Sequence, residues 1–254
     1  MKLLILPDAA AAAARVVDEI RDLVDQKPEA RLGLATGGTM EPVYEGLVKS
    51  DADLRRVTTF NLDEYVGLSP QHPQSYRSFM EARLFGPKGM SRKQTHLPNG
   101  DAPDPEAEAD RYEAQIAEGG LDLQLLGIGA NGHIGFNEPT SSLGSRTRVK
   151  TLTRRTRADN ARFFDDEDAV PRFAITMGIA TILDARHVIL LATGTAKAEA
   201  VAAMVEGPLS AVCPASALQL HRRATIVVDT AAASSLALRD YYETVHPGGA
   251  EPEL

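Results

Sequence analysis

The sequence predicts an α/β fold, one domain built on a parallel sheet with helices on both faces. Three observations predict it. Short apolar runs alternate with longer amphipathic stretches across most of the 254 residues. Several of these runs end in glycine-rich or polar turns, where α/β proteins tend to place their chemistry. No internal repeat and no linker interrupts the alternation. One domain over residues 1–245 is therefore expected, followed by a flexible tail at 246–254 that is rich in Gly and Pro.

Lys2–Leu6 reads as the first strand. Residues 8–25 follow as a helix, with Val16, Ile20, Leu23 and Val24 on one face. Arg31–Ala35 is the next strand, then the turn Thr36-Gly-Gly-Thr39, then a helix carrying Met40, Val43, Tyr44 and Leu47. Val57–Phe60 reads as a strand ending in Asn61-Leu-Asp-Glu-Tyr65. Ser75–Leu84 and Pro105–Glu118 read as helices, and Leu121–Leu126 as a strand. An ordered stretch Arg172–Leu183 precedes the strand His187–Ala192, the helix Ala196–Val205, the strand Ala224–Asp229 and a last helix to about Tyr242.

Composition narrows the function classes. Hydrophobic residues make up 43% and charged residues 24%, as in ordinary globular proteins. The net charge of −8 and pI of about 5.3 argue against nonspecific nucleic-acid binding and against a basic membrane face. An anionic ligand must then be held by local groups. The single cysteine, Cys213, cannot form an intrachain disulfide, which fits a reducing compartment. The apolar run at the start stops at Pro7, too short for a secretory signal, and no segment has the ~18 apolar residues of a membrane span. A cytoplasmic location is expected. The six histidines lack paired ligand spacing, so no metal site is expected.

Four stretches could carry chemistry. Thr36-Gly-Gly-Thr39 joins a strand to a helix; its glycines let backbone N–H groups turn toward a phosphate, and Thr39 can cap the helix. The alternative is a tight turn with an N-cap and no ligand. Thr193-Gly-Thr195 repeats the theme, and Lys197 falls in the first helical turn, where a cation opposes the dipole unless an anion is bound. A solvated lysine is the other reading. Asp63-Glu64 follows a strand; neighbours in extended chain point to opposite sides, so Asp63 can face a site as a general base. The commoner fate of such an acid is solvation.

The fourth stretch is Gly127-Ile-Gly-Ala-Asn-Gly-His-Ile-Gly-Phe-Asn-Glu-Pro139. Its Gly127-x-Gly129-x-x-Gly132 matches a dinucleotide fingerprint literally. No helix pattern follows it, however, and Val149-Lys150-Thr151 stands where the ribose-binding acid belongs, so a dinucleotide site is rejected. What remains is His133 beside Glu138 and Asn131, a proton-transfer set. Pro139 biases Glu138 toward an extended backbone, and Gly132 and Gly135 are expected to leave His133 uncrowded.

Thr36-Gly-Gly-Thr39, Phe60-Asn-Leu-Asp-Glu-Tyr-Val-Gly67, Gly129-Ala-Asn-Gly-His-Ile-Gly-Phe-Asn-Glu-Pro139 and Asn160-Ala-Arg-Phe-Phe164 together resemble the glucosamine-6-phosphate deaminase (glucosamine/galactosamine-6-phosphate isomerase) family. The likeness runs in register from about residue 30 to 229. It implies a modified doubly wound, Rossmann-like α/β sheet. It implies conversion of glucosamine 6-phosphate and water to fructose 6-phosphate and ammonia in amino-sugar catabolism, with no cofactor. Carried over by position, Asp63 resembles the base that takes the C2 proton and His133 the residue that opens the sugar ring, with Asn131 and Glu138 as its supporting partners. Thr36, Gly37, Gly38, Thr39, Arg162 and Lys197 resemble the phosphate-binding groups. Many family members carry Asp where this chain has Asn131, and others carry Asn. An amide can orient His133 but cannot take its proton, so Glu138 is the better charged partner.

Ser141-Ser-Leu-Gly-Ser-Arg-Thr-Arg-Val-Lys-Thr151 resembles the allosterically regulated branch of that family. Ser141, Arg148, Lys150 and Thr151 would then belong to a second site for N-acetylglucosamine 6-phosphate, and the chain to a homohexamer. A solvated basic strand is the other reading. That branch also uses a tyrosine near its C-terminus, a region held here by Tyr241 and Tyr242. Two other functions compete: a 6-phosphogluconolactonase-like hydrolase, whose glycine-rich His motif differs, and a non-catalytic sugar-phosphate sensor, which has no need of Asp63, His133 and Glu138.

Overall fold

Strands covered on both faces need apolar side chains at every position, and most of the runs above supply them. The structure is a computed structural model that describes residues 1–161, 164 and 170–250, without the side chains of 155 and 159–161. Its strands are β1 (Lys2–Leu6), β2 (Arg31–Leu34), β3 (Thr58–Asn61), β4 (Asp63–Tyr65), β5 (Thr95–His96), β6 (Leu123–Leu126), β7 (Arg148–Thr151), β8 (Phe173–Thr176), β9 (Val188–Ala192) and β10 (Ala224–Asp229). Its α-helices are α1 (Ala9–Gln26), α2 (Glu41–Lys49), α3 (Tyr76–Met80), α4 (Pro105–Ala117), α5 (Arg154–Ala161), α6 (Ile179–Leu183), α7 (Ala198–Val205) and α8 (Arg239–Val245).

Seven strands form one parallel sheet in the order β1-β10-β9-β6-β2-β3-β5, with helices around it. Every residue of β6, β9 and β10 is buried, which explains their largely apolar character; Gln124, Thr225 and Asp229 are the buried polar exceptions. In α1, Ala12, Ala13, Val16, Val17, Ile20 and Val24 are buried at helical spacing. Asp8 caps that helix by accepting the Ala11 N–H at 2.8 Å. Among the described residues no helix is long and apolar enough to cross a membrane.

The expected α/β alternation holds, with local corrections. Asn61-Leu-Asp-Glu-Tyr65 is not simply a strand end. The chain passes at Leu62 from the parallel sheet into a second, antiparallel sheet of order β4-β8-β7. The Leu62 N–H donates to Leu34 O at 2.9 Å on one side, and its carbonyl accepts from Met177 N at 2.7 Å on the other. A three-residue strand of Asp, Glu and Tyr carries no apolar run, so periodicity could not find it. Arg172–Leu183 divides into β8 and α6 at Met177-Gly178. The helix expected over Ser75–Leu84 is α3 continued by a π-helical turn, Glu81–Phe85. The Leu121–Leu126 strand begins at Leu123, and the last helix extends to Val245. Pro247–Gly249 then forms a 3₁₀ turn, with Gly249 buried.

Candidate active site

The strand order reverses between β2 and β6: the chain steps outward from β2 through β3 to β5, then returns to β6 on the other side of β2. In open α/β sheets a crevice lies at such a point, beyond the carboxyl ends of the strands. Here it is a cleft of about 480 Å³. Thr36, Gly37, Gly38 and Thr39 line it from the end of β2, Asp63 from β4, and Asn131 and His133 from the loop after β6. Lys197 lines it from the turn after β9. Four stretches far apart in sequence thus open on one space.

The turn after β2 has its sharp corner at Gly37, whose φ of +105° is a left-handed conformation that favours glycine. Met40 N–H closes the turn on Gly37 O at 2.9 Å. The residue at the α2 N-cap is Met40, with helical backbone and no side-chain cap, so Thr39 does not cap the helix as expected. The tight turn places Thr39 before the cap position, among the residues lining the cleft. After β9, the Gly194 N–H donates to both carboxylate oxygens of Asp229 at 3.0 Å. Lys197 ends a 3₁₀ turn and stands at the α7 N-cap, so the cation sits at the helix's positive end.

Asp63 and Glu64 separate as strand alternation requires. Asp63 lines the cleft, whereas Glu64 faces α3 and accepts the backbone N–H groups of Tyr65 at 2.9 Å, Tyr76 at 3.1 Å and Arg77 at 3.0 Å. Burial, with the charge of Glu64 added, pushes the Asp63 carboxyl up to about 8. Burial also pushes Glu64 up to about 7, against the pull of its three N–H donors. A Cβ on Gly135 would lie 3.0 Å from Thr176 Oγ1, a tight approach, and in ordinary contact with Asp63 Oδ2 at 3.4 Å, so the absence of a side chain there chiefly makes room for Thr176.

Glu138 lies behind the cleft, 4% exposed, and its carboxylate is held on both oxygens. Oε2 accepts from Asn131 Nδ2 at 2.8 Å and lies 3.4 Å from His133 Nδ1, while Oε1 accepts from the Thr156 hydroxyl. Burial opposes ionisation, but hydrogen bonds from His133, Thr156 and Asn131 outweigh it and hold the carboxyl below its usual range. Asn131 supports Glu138 and accepts the His133 backbone N–H at 3.3 Å. The carboxylate meets the imidazole, as expected of Glu138, while the amide of Asn131 orients that carboxylate and the His133 backbone and makes no hydrogen bond to the ring among the described residues. The glycine that accommodates the ring differs from those expected. A Cβ on Gly129 would fall 2.4 Å from His133 Nε2, whereas the space at Gly132 is filled by Cys213 Sγ at 2.7 Å and that at Gly135 by Thr176 and Asp63.

Arg162 lies outside the described residues. Of the expected second-site residues, Ser141 is buried and its hydroxyl has no hydrogen-bond partner among the described residues. Arg148, Lys150 and Thr151 lie on β7, where alternation puts Arg148 and Lys150 on one face and Thr151 on the other. Tyr241 and Tyr242 lie on α8 and meet edge to face at 5.6 Å. Two cleft residues escaped sequence reasoning. Tyr76 stacks on Phe136 with centroids 6.2 Å apart, and Thr156 reaches Glu138 across 18 positions of sequence. Neither stands in a motif.

The family described as glucosamine-6-phosphate isomerases/6-phosphogluconolactonase matches residues 8–227. A glucosamine-6-phosphate deaminase of Streptomyces avermitilis is 55% identical over 254 residues, which covers 98% of this chain and 97% of that one. The chain belongs to this glucosamine-6-phosphate isomerase/6-phosphogluconolactonase family. Within the family, the solved structure of a monomeric glucosamine-6-phosphate deaminase shares 45% identity, with a TM-score of 0.90 over 92% of this chain and 100% of that one. A 6-phosphogluconolactonase from Trypanosoma brucei, at 21% identity, gives a TM-score of 0.73 over 93% of this chain and 98% of that one, which is a likeness of fold alone.

Proposed function

We infer that the chain is a glucosamine-6-phosphate deaminase, converting glucosamine 6-phosphate and water to fructose 6-phosphate and ammonia. The observation that carries this reading is the opening of Asp63 and of His133, backed by Glu138, onto one cleft that Gly37, Gly38, Thr39 and Lys197 also line. The names of relatives at 45–55% identity support it. A phosphomonoester is charged and does not cross membranes unaided, so the reading carries a cytoplasmic location with it.

The chemistry follows from the groups present. The Gly37–Thr39 turn and Lys197 hold the phosphate, which takes no part in bond making. Glu138 on Nδ1 sets His133 to act through Nε2. There it takes the proton of the anomeric hydroxyl as the C1–O5 bond breaks, and returns it to O5. The resulting C1 aldehyde acidifies the C2–H. Asp63 takes that proton and returns it at C1 while one ammonium proton passes to O1, so C1 becomes a hydroxymethyl group and C2 an iminium that water hydrolyses to the ketone and ammonia. Holding C2 against Asp63 supplies orientation worth roughly 7–11 kcal/mol at best.

The raised Asp63 has a role in this scheme. With its carboxyl raised to about 8 by burial, Asp63 favours the protonated form at neutral pH, and a base must be ionised. The substrate carries an ammonium at C2, next to the proton to be removed. An opposite charge at that distance favours the carboxylate, so the correct substrate prepares its own base. A sugar phosphate without the C2 amine offers no such help.

The reading extends to a homohexamer regulated by N-acetylglucosamine 6-phosphate through Ser141, Arg148, Lys150 and Thr151. Its support is the pairing of strands: Arg148 on β7 and Asp63 on β4 are both in register with Thr176 of β8. The relative at 45% identity is described as monomeric, so a mass measurement is the first check. Ammonia release from glucosamine 6-phosphate tests the activity. Lactone hydrolysis without ammonia would indicate the lactonase, and tight binding with neither product the sensor. Rate curves that superimpose with and without N-acetylglucosamine 6-phosphate would remove the regulatory site.

A further inference from the structure

We propose that Thr156 is a positioning residue for ring opening, fixing the Glu138 carboxylate so that its other oxygen meets His133. The inference rests on the deaminase reading and extends it to a residue outside the motifs. Thr156 is 4% exposed and lies on α5, an element separate from the loop that carries Asn131, His133 and Glu138. Its hydroxyl donates to Glu138 Oε1. It also accepts from the Thr153 hydroxyl at 3.0 Å, and that same hydroxyl receives the Thr156 backbone N–H at 3.1 Å. A chain of donors therefore runs from Thr153 through Thr156 to Oε1, while Asn131 and His133 occupy Oε2.

The two oxygens divide the work. A carboxylate pinned only at Oε2 can swing about its last torsion, which for Glu is broad. Pinned at both oxygens, it holds one orientation, and Nδ1 of His133 sees a fixed acceptor. That fixes the tautomer and aims Nε2 at the anomeric hydroxyl, the geometry on which proton transfer depends. Burial strengthens the effect, because a hydrogen bond to an ionised group in a poorly solvated place is among the stronger ones.

The test compares Thr156→Val, which keeps the shape and removes the donor, with Thr156→Ser, which keeps the donor. Steady-state ammonia release is measured beside the affinity for an open-chain amino-sugar alcohol phosphate, a ligand that needs no ring opening. Thr156→Val should lower kcat by about tenfold to a hundredfold, the loss expected for one hydrogen bond to a buried charge. KM and the open-chain affinity should stay within about threefold, because Thr156 acts through Glu138 and not on the bound sugar, and Thr156→Ser should keep kcat within about threefold of the wild type. Wild-type turnover in Thr156→Val overturns the proposal, and so does a Thr156→Ser variant as impaired as Thr156→Val, which would point to methyl packing. No ammonia from the wild type overturns the deaminase reading, and this role with it. Ammonia from the wild type together with an unimpaired Thr156→Val removes this role alone.

Discussion

Replacing Asp63 by Asn should make the protein more stable and nearly inactive at once. The side chain is buried, 6% exposed, and its carboxyl is pushed from a reference of 3.8 up to about 8, first by burial and then by the charge of Glu64. Between those values the folded chain keeps a proton that the unfolded chain has released. Stability therefore falls as the pH rises across the window from about 4 to about 8. At pH 7 the difference spans about three pKa units, or roughly 4 kcal/mol. Asn escapes that penalty but leaves its amide donors to be satisfied, at roughly 1–3 kcal/mol. The balance is a gain of ~1–3 kcal/mol, several degrees in Tm for a chain of this length. Loss of the base should lower kcat by roughly 10²–10⁴. Thermal unfolding of both proteins from about pH 4 to about pH 8 should show the gap between them widening with pH. Ammonia release and sugar-phosphate binding complete the assay, with affinity expected within about tenfold of the wild type, because the phosphate contacts lie elsewhere in the cleft. Near-normal turnover would refute Asp63 as the base. A variant less stable than the wild type throughout the window would refute the burial argument.

Three further outcomes follow from the same geometry. Glu138→Gln keeps the shape but turns an amide N–H₂ toward donors, so kcat should fall about tenfold or more with KM little changed, read by steady-state kinetics. Gly129→Ala would put a methyl 2.4 Å from His133 Nε2, so the ring must move; turnover should drop by at least about tenfold, and near-normal kinetics would show that ring placement is not critical. Glu64→Ala removes the acceptor of three backbone N–H groups, so Tm should fall by an amount equivalent to about 2 kcal/mol or more, with kcat reduced through the displaced Tyr76 wall.

Six strands of the parallel sheet were legible because they are largely buried and read as apolar runs; β5, only Thr95-His96, was not. The candidate site was legible where glycine and polar residues interrupt those runs, at Thr36–Thr39, Asp63 and Gly127–Pro139. The second sheet was not legible: β4 and β7 are short and polar, and their pairing with β8 is a long-range choice that local periodicity does not encode. The roles of individual glycines were not legible either, because what a missing Cβ makes room for is decided by the neighbour. Gly129 accommodates His133, and Gly132 accommodates Cys213.

By itself, then, the sequence determined the α/β alternation, the polar turns at strand ends and the residue types of a proton-transfer set. Those are local properties, written in spacing and side-chain chemistry. Only the tertiary structure decided that Leu62 hands the chain from one sheet to the other and so turns Asp63 into the cleft and Glu64 away from it. It likewise decided that Asn131 and Thr156 hold opposite oxygens of Glu138. The physical reason is that buried polar groups must find partners, and packing, not sequence neighbourhood, determines which partners are within reach.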